Sequence, residues 1–136
     1  MDDAFNHTIE TRWADFDSNR HVNNAVYLTY LEALRDRYFK ESGIKADQTV
    51  LVSCHLTFIA PIALGQTTVD GRLWCSGLGS SSIKTREVLS VSGEAALEAT
   101  SVSVYVDSAG RPARVPDPIR KRLEASASQP TPATKL

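Results

Sequence analysis

Between Asp15 and Asn24 the chain reads Asp-Phe-Asp-Ser-Asn-Arg-His-Val-Asn-Asn, a run that crowds two carboxylates, one imidazole and three carboxamides into ten residues. A carboxylate such as Asp17 can act as a general base or a nucleophile, and an imidazole such as His21 can move protons near neutral pH. From Asn24 to Ser42, Tyr27, Leu31, Leu34 and Tyr38 recur at helical spacing, so a helix is expected to start where the polar run ends. A helix start presents unpaired backbone N–H groups and a partial positive charge, which suits it to stabilise an oxyanion. Together these features describe an acid and an anion-stabilising amide as neighbours in the chain.

Three other readings compete on spacing alone. Asp-x-Asp-x-Asn opens a calcium loop, but Arg20 stands where that loop needs Gly and Val26 where it needs Glu, so calcium is rejected. A phosphatase-type Asp-x-Asp belongs at the end of a buried apolar strand in an alternating α/β chain, whereas Glu10, Thr11 and Arg12 precede it here. The third reading is a polar capping loop in which Asp17 and Asn23 merely satisfy backbone donors, and spacing leaves it level with the catalytic one.

The elements that must position this segment follow from hydropathy. Phe5, His7, Ile9, Thr11 and Trp13 alternate with polar neighbours as in a half-covered strand, and Ala14 to Asn23 forms a loop with Asn23 as N-cap of the helix. The first half of that helix is apolar all round (Ala25, Val26, Tyr27, Leu28, Tyr30, Leu31), so its beginning is expected to be buried against a sheet. Val50 to Ile59 reads as a strand broken by Pro61 to Gly65, and Gln66 to Cys75, Ser81 to Val91 and Ala95 to Val106 follow as strands. Gly77 with Gly79, and Ser92-Gly93, give connections short enough for hairpins. The order predicts an α+β fold, a curved antiparallel five-stranded sheet around one long helix, with a short helix between Pro116 and Ala127. One domain is expected over residues 1–125 and a disordered tail, rich in Ser, Pro, Thr and Ala, over 126–136.

With 136 residues, 42% of them hydrophobic, the chain can form one core, and a formal charge of −1 offers no global attraction to nucleic acid or anionic membrane. No basic leader and no run approaching the roughly 18 apolar residues of a membrane span is present, which points to the cytoplasm. Cys54 and Cys75 are then expected as free thiols. The three His and two Cys show no paired ligand spacing, so neither a metal nor another cofactor is implied.

The stretch from Asp15 to Arg35, D-x-D-x-N-x-H-V-N-N-x-x-Y-x-x-Y-x-E-x-x-R, resembles the signature of hotdog-fold thioesterases, both 4-hydroxybenzoyl-CoA thioesterase-like and acyl-carrier-protein thioesterase-like. The resemblance implies a helix wrapped by the sheet, paired subunits (a dimer or a dimer of dimers) and an active site at their interface. It makes Asp17 the nucleophile or general base, the Asn24 N–H the group that polarises the thioester carbonyl, and Asn19 with His21 the pair that orients substrate or water. Glu32 takes a supporting role on the helix. By residue type Tyr27, like Trp13 and Tyr30, reads first as a core or interface aromatic, with the lining of an acyl pocket as its alternative role. The implied activity is hydrolysis of an acyl-CoA, with an acyl-carrier-protein thioesterase, a non-catalytic acyl-CoA-binding module and a hotdog dehydratase as alternatives.

Two departures accompany the likeness. Many bacterial members place Gly before the His, where this chain has Arg20, altering the expected loop and bringing a cation to the site's mouth. The Glu-Cys pair of the carrier-protein group is replaced by Ser53-Cys54-His55-Leu56. Cys54 and His55 point to opposite faces of a strand and cannot form a dyad; Cys54 reads as core and His55 as structural. Lys84 and Arg86 share a strand face and, like Arg111 and Arg114, are candidates for coenzyme A phosphates, each weighed against a solvated surface.

Overall fold

In the computed structural model, which describes residues 4–126, the alternating segments form strands and the helical stripe forms one long helix. β1 (Phe5–Glu10) leads to α1 (Val26–Glu41); β2 (Thr49–Phe58), β3 (Thr68–Leu78), β4 (Ser82–Val91) and β5 (Glu94–Tyr105) follow, and then a short α2 (Asp117–Glu124). All strand pairs are antiparallel, in the order β1-β3-β4-β5-β2, so β2 forms an outer edge beside β5. This is the helix-against-sheet arrangement of the hotdog fold.

The core lies between α1 and one sheet face, where Tyr27, Leu31, Leu34 and Tyr38 meet Leu73, Ile83, Leu89 and Leu97. Leu31 and Leu34 are fully buried, each contributing about 1.5–3 kcal/mol through loss of apolar surface from water. Gly71 on β3 permits the close approach: a Cβ there would lie 2.9 Å from Leu34 Cδ1 and 3.2 Å from the His7 carbonyl oxygen. Between β4 and β5, Ser92 and Gly93 both take positive φ (52° and 81°), the backbone of a two-residue hairpin.

Several boundaries differ from those the hydropathy suggests. β1 stops at Glu10 rather than Trp13, because Asp15 draws the backbone N–H and guanidinium of Arg12 into a short 3-10 turn at Trp13–Asp15; Trp13 is left 88% exposed. α1 begins at Val26 rather than Asn24. Asn23 caps through its side chain, but the amide it binds is that of Ala25, and its carbonyl takes the Val26 N–H, so a turn forms before the helix proper. The first half of α1 is not buried all round: Tyr27, Tyr30 and Leu31 are buried, but Leu28 is 43% exposed, since one sheet covers one side of a helix. β3 starts and ends later than expected, an irregularity between Cys75 and Gly77 letting the strand continue to Leu78. Ser126 is buried, its hydroxyl 2.8 Å from Tyr38 Oη and its carbonyl accepting the Cys75 N–H. Residues 127–136, expected as a disordered tail, lie outside the described residues.

β2 is the least covered strand. Val50, Leu51, Val52 and Phe58 are each more than two-fifths exposed, and its second hydrogen-bonding edge is unpaired among the described residues.

Candidate active site

The Asp15–Asn24 segment folds as a tight loop closed by a bridge between Phe16 and Val22. The Asp17 N–H donates to the His21 carbonyl at 3.0 Å and the Arg20 N–H to the Asp17 carbonyl at 2.9 Å, which requires a left-handed residue at Arg20 (φ 62°). A type I turn followed by a left-handed residue is the usual three-residue hairpin solution, and Gly fits its last position best. Arg20 thus adopts the backbone that a Gly before the His would take freely, and its side chain is exposed. The loop is docked on the segment after β2 by a His21–Ala63 bridge and by Val22 N–H donating to the Ile62 carbonyl.

Within the loop, Asp17 Oδ1 accepts the Asn19 N–H at 2.9 Å, while Oδ2 accepts no hydrogen bond from the described residues. The N–H groups of Asn23, Ala25 and Val26 all find protein acceptors, but that of Asn24 finds none among the described residues. Asp17, Asn19, His21 and Asn24 line one cleft of about 280 Å³. Val22, Tyr27 and Phe58 to Pro61 complete its lining. The Tyr27 ring meets Phe58 edge-on at 5.3 Å, and the Tyr27 hydroxyl accepts the Ile62 N–H at 3.3 Å. Burial pushes the Tyr27 phenol above its ordinary pKa, so it remains a neutral wall.

Asp15 has a different environment from Asp17. It is 1% exposed; Oδ2 accepts Tyr30 Oη at 2.7 Å and the Arg12 N–H at 2.8 Å, and Oδ1 accepts Arg12 Nε at 3.0 Å and Nη2 at 2.9 Å. Burial acts to raise its pKa, but the bonds from Arg12 and Tyr30 outweigh it and hold the carboxyl below the ordinary value. The first Asp of the motif is therefore a saturated, buried anion and the second has a lone-pair face open to the cleft.

Other expected residues fall elsewhere. Lys84 and Arg86 do share the outer sheet face, but with Ser53, His55 and Thr100 they line a separate depression of about 410 Å³ whose lining has no residue in common with the Asp17 cleft. Arg114 is paired with Asp117 at 3.1 Å, Arg111 is exposed, and Glu32 is exposed on α1 with no bond to the loop among the described residues. Cys54 is half-buried beside Ser101 Oγ at 3.4 Å, Cys75 is buried, and both are free thiols. Among the described residues no group of three or more His, Cys, Asp or Glu gathers as a metal site.

Sequence reading missed a buried ion pair. Arg35 Nη1 donates to Glu87 Oε2 at 3.1 Å and to Ser101 Oγ at 3.2 Å, with Arg35 5% and Glu87 1% exposed. Its signal was present: Arg35 falls one turn after Leu31 on the apolar stripe of α1, and Glu87 alternates in phase with the inward Ile83 and Leu89 of β4.

Comparison with known proteins agrees with the fold. The profile of the thioesterase-like superfamily matches residues 11–123. A chloroplastic acyl-acyl carrier protein thioesterase of Arabidopsis thaliana is 29% identical over 129 residues, covering 86% of this chain and 67% of its own. A Thermus thermophilus thioesterase, solved with coenzyme A and zinc, is 32% identical with a TM-score of 0.79, covering 94% of this chain and 96% of its own. A Bacillus stearothermophilus protein described as a predicted thioesterase superposes with a TM-score of 0.84 at 25% identity, covering 93% and 98% of the two chains.

Proposed function

The chain belongs to the thioesterase-like superfamily, and from that premise we propose that it hydrolyses the thioester of an acyl-CoA to the free acid and CoA. The observation that carries this reading is that Asp17 and Asn24 line one cleft and that, among the described residues, Asp17 Oδ2 and the Asn24 N–H have no hydrogen-bond partner. The thioester carbonyl oxygen accepts the Asn24 N–H, which stabilises the charge it gains. Asp17 takes a proton from water as the water oxygen bonds to the carbonyl carbon, or attacks that carbon itself; collapse of the adduct breaks the C–S bond and the CoA thiolate leaves, taking up a proton. In the second route water then hydrolyses the mixed anhydride on Asp17, which frees the acid and restores the carboxylate. Asn19 and His21 orient the reactants. Tyr27 and Phe58 flank the acyl group, and Arg20, exposed between Asn19 and His21, is the cation offered to the CoA phosphates. The reaction as written needs no cofactor.

The relatives support this in part: the Thermus thermophilus protein was solved with coenzyme A. The name of the Arabidopsis thaliana relative favours a second reading, in which the acyl group is carried by a carrier protein.

The test is release of free thiol from short, long, branched and aromatic acyl-CoAs and from an acyl-carrier protein. For the preferred substrate, Asp17→Asn is expected to keep the fold and lower kcat by about 100-fold or more. Wild-type rates in that variant would remove Asp17 from the mechanism. Tight acyl-CoA binding without any thiol release would turn the reading to a binding module.

A further inference from the structure

Both reacting groups of the cleft hang from one buried residue that does not line it. Asp17 lies two residues beyond Asp15. Asn24 follows Asn23, whose N–H donates to the Asp15 backbone carbonyl at 2.9 Å. The Asp15 carboxylate in turn ties three pieces of chain together: the turn after β1 through Arg12, its own loop, and α1 through the Tyr30 hydroxyl. An ionised carboxylate that is 1% exposed and bonded by a neutral phenol and a guanidinium has one low-energy position, and it transmits that position to the backbone carrying it.

We propose that Asp15, held by Tyr30 and Arg12, is a positioning residue that sets the separation between the Asp17 carboxylate and the Asn24 N–H. It touches neither substrate nor water in the cleft. The inference rests on the thioesterase reading for its kinetic consequence, but the geometry it describes is measurable without turnover. Tyr30 is the informative partner, because Tyr30→Phe deletes one hydroxyl and leaves the ring in the core, edge-on to Tyr27 at 6.4 Å.

The experiment compares wild type, Tyr30→Phe, Asp15→Asn and the double variant by steady-state kinetics and by amide hydrogen exchange. Misplacing one reacting group by about 1 Å lowers turnover by about 100-fold, so kcat is expected to fall between 10- and 100-fold in each single variant with KM within about threefold. The two losses are expected not to multiply in the double variant, since both act through one carboxylate. Exchange at the Asn23 amide is expected to quicken about 3- to 10-fold, the effect of losing one hydrogen bond, while core amides of β4 keep their rates. Unchanged kcat in both single variants, multiplying losses, or unchanged Asn23 exchange would overturn the proposal. If wild type releases no thiol from any substrate, the thioesterase reading fails instead, and Asn23 exchange alone decides whether Asp15 holds the turn.

Discussion

At Arg20 the loop carries a cost that its chemistry makes visible. An L-residue with φ 62° is strained by contact between its Cβ and the backbone, by about 1–2 kcal/mol relative to a right-handed conformation, and Gly escapes that strain. Arg20→Gly is therefore expected to raise unfolding stability by about 1 kcal/mol in chemical denaturation, and a loss of stability would show that the guanidinium makes contacts worth more than the strain. The same variant separates a role in substrate binding from a structural one: a raised KM for acyl-CoA in a more stable protein means that the cation serves the ligand. Asp15 and Asp17, two residues apart, show why residue type alone is a poor guide to role. One is enclosed and saturated by Arg12 and Tyr30, and the other keeps an oxygen open to a cleft.

Among the elements, α1 is fixed to the sheet by two kinds of contact. Leu31 and Leu34 contribute apolar burial, whereas Arg35 reaches Glu87 on β4 and Ser101 on β5, setting the helix over the middle of the sheet. Burial pushes the Glu87 carboxyl upward and the Arg35 guanidinium opposes it, so the pair stands or falls together. Removing one partner leaves an uncompensated buried charge: Arg35→Met is expected to cost about 3–5 kcal/mol of stability. Adding Glu87→Leu to it is expected to recover most of that loss, because an apolar pair of similar volume needs no solvation. A double variant no more stable than Arg35→Met would mean that the pair contributes shape rather than charge. The strand alternation of β4 and the 3.6-residue stripe of α1 made both elements legible from the sequence. The pair itself stayed hidden, because reading an Arg on a stripe as buried requires knowing which acid faces it.

For the whole molecule, one chain leaves part of the candidate site's lining exposed. Phe58, which lines the cleft from the end of edge strand β2, is 51% exposed, and the same strand presents Val50, Leu51 and Val52 with a ladder that is unpaired among the described residues. An exposed apolar edge invites pairing with a second strand. A homodimer joined along β2 is the assembly we expect, measured by light scattering after size exclusion; Val50→Lys with Val52→Lys should shift the protein to monomer and reduce turnover with it, and an unchanged mass would place the interface elsewhere. By itself the sequence determined the order of elements, the hairpin at Ser92-Gly93 and the segment proposed to bear the site, since these depend on period and local backbone preference. It did not determine that Asp15 is buried while Asp17 lines a cleft, that the Asn24 N–H finds no acceptor among the described residues because Asn23 takes up the turn before α1, or that Lys84 and Arg86 line a different depression from Asp17. Those depend on distances between residues remote in the chain, and only the packing of α1, the loop and the sheet decided them.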